Sequence, residues 1–208
     1  MVPRRIHSLF TLCILTLVAG CASVQSKIPV DRASAQPGTQ VTQRGNLVRL
    51  LGSPISVGKP LPSVDLVDAM TTKPVDLSKE RGAILLLSIV PSIDTAVCEQ
   101  QTHIIGEQRT ELPGSIRRVV ISRDTPFAQK RFAKEAKLTN LQYLSDYKQG
   151  DFGRATGLLT EGAMLLARSI VVVDKQGIVR YIQVVPEISH LPDMDKAFEE
   201  ASRLAKEG

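Results

Sequence analysis

Pro91-Ser92-Ile93-Asp94-Thr95-Ala96-Val97-Cys98 follows directly on a continuous apolar run from Ile84 to Val90 and ends on a cysteine. An unbroken run of that length predicts a strand covered on both faces. After it, Val97, Ile104, Ile105, Gln108 and Leu112 recur at helical spacing, with Asp94 or Thr95 placed to cap the helix. Cys98 is therefore expected in the first helical turn, just past the carboxyl edge of a buried strand. Unpaired N–H groups and the positive end of the helix dipole favour the thiolate there, which is the nucleophilic form of the residue. The alternative is a buried structural cysteine, the commoner fate of a lone Cys. A threonine three residues ahead, with a proline four residues before it, argues against that alternative. His103 and His190 read as structural or surface residues, and no spacing among His, Cys and acids makes a metal site. Cys13, Cys21 and Cys98 form no CxxC pair, which excludes a disulfide-rich scaffold and a dithiol redox loop.

The elements that must position Cys98 alternate in kind. Asn46 to Leu51 reads as a short strand, and Gly58-Lys59-Pro60-Leu61-Pro62 as a loop. Apolar runs recur at Arg118 to Ile121 and Ile170 to Val173. Asp174-Lys175-Gln176-Gly177 then turns the chain into Val179 to Val184, which predicts a hairpin. Thr125-Pro126 is a cap followed by proline at the first helical position, opening a helix through about Lys137. Met194, Ala197, Phe198, Ala201, Leu204 and Ala205 mark an amphipathic terminal helix docked by one face. Strand, helix, strand, helix, hairpin and final helix predict an α/β sandwich of thioredoxin type, a central mixed sheet flanked by helices.

The beginning of the chain has a different character. Residues 1–20 carry Arg4 and Arg5, then an apolar run from Leu9 to Val18 that is short for a membrane span, the layout of a secretory signal. Val18-Ala19-Gly20-Cys21 resembles the bacterial lipobox, which implies a lipidated Cys21 as mature N-terminus and a membrane-anchored protein in the bacterial cell envelope, facing the periplasm. Residues 21–43 are rich in Ser, Gln, Pro, Thr and Gly, and read as a flexible tether. The domain is then expected over residues 44–208. The net charge of +5 lies wholly within the first 50 of the 208 residues, so the remainder is neutral. With five Phe, three Tyr and no Trp, the chain offers neither a phosphate-binding stripe nor a base-stacking platform, so no nucleic-acid partner is expected.

Pro91-x-x-x-Thr95-x-x-Cys98 resembles the peroxiredoxin active-site motif. Ser88 to Thr95, Pro126-Phe127-Ala128-Gln129-Lys130-Arg131-Phe132, Leu165-Leu166-Ala167-Arg168 and Val185-Pro186-Glu187-Ile188 together resemble the thiol peroxidase subfamily of bacterial peroxiredoxins. Arg44-Gly45-Asn46-Leu47-Val48 is similar to that subfamily's N-terminal hairpin. The resemblance spans about residues 40–208. It implies that Cys98 attacks a peroxide oxygen and becomes a sulfenic acid, and that Thr95 hydrogen-bonds both thiolate and peroxide. Arg168 would place its guanidinium against the sulfur, and Pro91 would shield the site from water. Taken without these strings, Arg168 would read as half of a surface ion pair. The implied partners are a hydroperoxide, an external thiol reductant and the membrane, with a homodimer left open and no cofactor.

One position departs from the subfamily. Its resolving cysteine follows the Arg-Phe pair of the second string, and here that position is Ala133. With Cys13 in the signal and Cys21 lipidated, Cys98 would be the single free thiol, and recycling through an intrachain disulfide is closed. Two readings follow: a one-cysteine lipoprotein peroxidase using an external thiol, or a non-turnover module that senses peroxide or binds a partner. The joint presence of Pro91, Thr95, Cys98 and Arg168 favours the enzyme.

Overall fold

The computed structural model describes residues 28–107 and 112–207. The expected signal, the Cys21 site, the first part of the expected tether and Gln108 lie outside the described residues. In chain order the strands are β1 (Gln40–Gln43), β2 (Asn46–Leu51), β3 (Leu66–Asp68), β4 (Pro74–Val75), β5 (Ile84–Ile89), β6 (Ile116–Ser122), β7 (Gln142–Ser145), β8 (Leu159–Thr160), β9 (Ser169–Val173) and β10 (Val179–Val184). The helices are α1 (Ala96–Glu107), α2 (Pro126–Glu135), α3 (Asp151–Thr156) and α4 (Met194–Lys206).

The main sheet has seven strands in the order β10-β9-β5-β6-β7-β3-β4, and a smaller sheet joins β1, β2 and β8. β5, β6 and β7 run parallel, while β9 lies antiparallel beside β5. Every residue of β5 is buried, and alternate side chains serve opposite faces. Leu85, Leu87 and Ile89 enter one core with Val119, Val171 and Phe152. Ile84 and Leu86 enter the other, against Ile105 of α1, Ala133 of α2 and Phe198 of α4. Burying each such Leu or Ile is worth about 1.5–3 kcal/mol, so β5 is held from both sides. This is the expected α/β sandwich. The expected hairpins are both present, β1–β2 turning at Arg44 and Gly45 and β9–β10 at residues 174–177.

Two local expectations change. The described part of the expected tether, residues 28–43, is not a free linker. Val30 bridges Leu191, Ala35 bridges Val184, the Gln183 amide donates to the carbonyls of Asp31 and Ala33, and Val41 is buried. Backbone pairing fixes this segment without large apolar side chains, so its composition conceals it. The buried face of α1 also differs: Cys98, Gln101, Thr102 and Ile105 point inward, while Val97 and Ile104 are half-buried. Gln101 and Thr102 satisfy their side chains internally, so polarity at these positions does not signal exposure. The second helix begins as expected, Thr125 Oγ1 accepting from the Ala128 amide, and runs to Glu135, with a positive φ at Lys137 closing it. Among the described residues no helix is long and apolar enough to cross a membrane.

Candidate active site

The parallel run β5-β6-β7 brings the loops that leave its carboxyl ends to one edge, the usual location of a crevice in such sheets. Val90 and Pro91 continue β5, the amide of Val90 donating to the carbonyl of Ile121. Asp124, just past β6, clamps the next residues: its carboxylate accepts from Ser92 Oγ at 2.7 Å and from the Ile93 amide at 2.8 Å. Ser122 Oγ donates to the same carboxylate at 2.6 Å. The loop thus enters α1 in a fixed direction. Thr95 holds the cap position by backbone, its carbonyl accepting from the Glu99 amide.

Antiparallel pairing supplies the remote partner. Ser169 sits opposite Ile89, so Arg168, one residue earlier, arrives beside the end of β5. Its Nη2 donates to Cys98 Sγ at 3.2 Å, Nη1 to Gln101 Oε1 at 2.8 Å, and Nε to the carbonyl of Ile188 at 2.7 Å. Gln101 in turn donates Nε2 to Ser88 Oγ at 2.9 Å and to the Ser169 carbonyl at 3.4 Å, which fixes its oxygen toward the guanidinium. Cys98 and Gln101 are 0% exposed and Arg168 is 2% exposed. Arg168 is therefore not half of a surface ion pair. Among the described residues no carboxylate lies within ion-pairing distance of it. Burial pulls the Arg168 proton affinity below its ordinary value, and Cys98 acts in the opposite direction through charge and hydrogen bonding. The guanidinium is thus a buried cation whose hydrogen-bond partners are two neutral oxygens and the Cys98 sulfur.

A cleft of about 190 Å³ opens above this cluster, lined by Gln43, Arg44, Pro91, Thr95, Val97 and Arg168 among others. A neighbouring hollow of about 180 Å³ shares Gln43, Pro91, Leu165 and Ile188 with it and continues toward Ala163. Arg168 thus faces both the cleft and the sulfur. Pro91 is buried and lines the cleft. Thr95 differs from its expectation: its hydroxyl donates to the Ser92 carbonyl at 3.4 Å, and no hydrogen bond to Sγ is present. The physical reason is position. Thr95 precedes the helix on its exposed side, whereas Cys98 turns inward. Thr95 nonetheless lines the cleft.

The structure brings together Pro91, Thr95, Cys98 and Arg168, and adds Gln101 and Asp124. A signal for Gln101 existed, since it lies three residues beyond Cys98 on the same helical face. Asp124, next to the Thr125 cap, carried none. His103 lies between Glu99 and Glu107 on the outer face of α1, and His190 Nδ1 lies 3.1 Å from Asp31, so both stand outside the site. Ala133 is fully buried in α2. Cys98 is the one cysteine among the described residues, and those residues hold no group of three or more His, Cys, Asp or Glu suited to a metal ion.

The model of the redoxin family matches residues 56–198. A thiol peroxidase of Halalkalibacterium halodurans is 38% identical over 161 residues, covering 77% of this chain and 96% of that protein. The thiol peroxidase of Bacillus subtilis is 34% identical over 168 residues, covering 80% and 99%. Among solved structures, the peroxiredoxin-like protein from Aquifex aeolicus superposes with a TM-score of 0.75 at 32% identity, over 82% of this chain and 99% of that one.

Proposed function

The chain belongs to the redoxin family, with thiol peroxidases as its relatives, and on that premise we propose that it reduces hydroperoxides by thiol chemistry at Cys98. The observation that carries the residue assignment is the buried guanidinium of Arg168, 3.2 Å from Sγ, with no carboxylate among the described residues to neutralise it. In the proposed step the Cys98 thiolate attacks the distal peroxide oxygen. The S–O bond forms as the O–O bond breaks, and the leaving alkoxide or hydroxide takes up a proton to become alcohol or water. Arg168 stabilises the charge that moves onto the leaving oxygen. Thr95, which lines the cleft, orients the incoming peroxide through its hydroxyl, and Pro91 keeps bulk water from the sulfur.

The second half-reaction needs two reducing equivalents. With Ala133 in place of a resolving cysteine, two external thiols supply them: the first displaces water from the sulfenic acid, and the second releases Cys98 as a mixed disulfide is exchanged. The test is peroxide consumption by the protein with and without an added thiol. Multiple turnovers are expected only with thiol present; without it consumption should stop once Cys98 has become the sulfenic acid and, under excess peroxide, the sulfinic acid. Failure to consume peroxide with a range of small thiols and thioredoxin-like proteins would refute enzymatic turnover.

Lipid attachment at Cys21 is part of the same proposal and rests on Val18-Ala19-Gly20-Cys21 after a short apolar run. It would anchor the domain in the cell envelope facing the periplasm, close to membrane hydroperoxides. Palmitate labelling of the full chain is expected and should vanish in Cys21→Ser. Labelling that survives the substitution would contradict the assignment.

A further inference from the structure

Glu187 gathers five hydrogen-bond donors on one carboxylate. Oε1 accepts from the Arg44 amide at 2.9 Å, the Ser189 amide at 3.1 Å and Ser189 Oγ at 2.6 Å. Oε2 accepts from Thr42 Oγ1 at 2.9 Å and the Gly45 amide at 3.1 Å. Arg44 and Gly45 form the β1–β2 turn, both with positive φ, which is the conformation a two-residue hairpin requires and an uncommon one for arginine. Backbone pairing ties the hairpin down only as far as Thr42, whose amide and carbonyl pair with Pro186 and Ile188. Beyond that point Glu187 holds the turn. Gln43 and Arg44 from the hairpin, and Ile188 and Ser189 from the loop after β10, all line the cleft beside Arg168. The carboxylate therefore joins two walls of the opening that a substrate must pass.

We propose that Glu187 is a positioning residue for substrate selectivity, fixing the Arg44–Gly45 turn against Ser189 and so setting the shape of the cleft that receives the organic part of a hydroperoxide. The proposal rests on the peroxidase reading given above. Burial would raise the Glu187 carboxyl, but the donors from Ser189, Arg44 and Gly45 outweigh it and hold its pKa at about 2, so it is an anion throughout the neutral range. Glutamine cannot replace it. Whichever way the amide turns, its NH2 faces a backbone N–H that needs an acceptor, Gly45 on one side or Arg44 and Ser189 on the other. Hydrogen peroxide has no organic group to align, so freeing the turn should penalise a bulky substrate selectively.

The experiment compares oxidation of reduced Cys98 by cumene hydroperoxide and by hydrogen peroxide, in wild type, Glu187→Gln and Thr42→Val. Glu187→Gln is expected to lower the ratio of the two rate constants about tenfold, and Thr42→Val, which removes one donor, by about threefold. Amide exchange at Arg44 and Gly45 should quicken in Glu187→Gln. If Glu187→Gln fails to fold, the ratio in Thr42→Val decides. An unchanged ratio, or equal slowing with both peroxides, overturns the proposal while leaving the peroxidase reading intact. A wild type inert toward both peroxides overturns that reading itself.

Discussion

Cys98→Ser is expected to abolish peroxide reduction while leaving the fold in place. A serine hydroxyl has no accessible counterpart of the sulfenic acid, so the oxygen has nowhere to go. It remains a hydrogen-bond acceptor, so Arg168 Nη2 keeps a partner in a site that is 0% exposed at residue 98. Cys98→Ala removes that partner as well, and an unsatisfied buried donor costs about 1–3 kcal/mol. Thermal melting should therefore rank Ser above Ala, although both are inactive. Peroxide consumption by Cys98→Ser, measured with the same external thiol, would contradict the assignment of Cys98.

Arg168→Ala is expected to slow Cys98 oxidation about 10²–10³-fold, the range seen when a preorganised donor is removed from a developing charge. A surface arginine would have no such effect. The substitution also strands Gln101 Oε1 and the Ile188 carbonyl, so stability should fall too. Arg168→Lys separates the two effects. It keeps a positive charge but cannot serve three acceptors from one planar fork, so its rate should lie between wild type and Ala. Single-turnover mixing with hydrogen peroxide measures all three. A wild-type rate in Arg168→Ala would remove Arg168 from the mechanism.

The features of the fold and site visible in the sequence are those written in local patterns. The apolar run of β5, the Thr125-Pro126 helix start and the Asp174 to Gly177 turn each depend on neighbours a few residues away, and each has a strong side-chain preference. Cys98 was legible for the same reason, being read from what precedes it. The pairing of Cys98 with Arg168 depends on the antiparallel register of β5 and β9, which no local pattern records, and resemblance to a family supplied it. The docking of residues 28–36 was hidden because Pro29, Asp31, Ala33 and Ala35 are held there through backbone groups. The buried face of α1 was misplaced because an apolar count sends Val97 inward and Gln101 outward, whereas Gln101 is retained inside by Ser88, Ser169 and Arg168. Glu187 was legible only as a letter in a string; its five donors converge from the hairpin turn and from its own loop.

The most direct measurement is the intact mass of the reduced mature protein, lipidated at Cys21, after one equivalent of hydrogen peroxide, with and without dimedone. Addition of a single oxygen is expected, converted by dimedone to one adduct that maps to Cys98. Excess peroxide should add a second oxygen as the sulfinic acid, since Ala133 offers no thiol to intercept the first product. An unmodified chain would contradict Cys98 as the reacting thiol, and a loss of two protons within one monomer would contradict the one-cysteine chemistry.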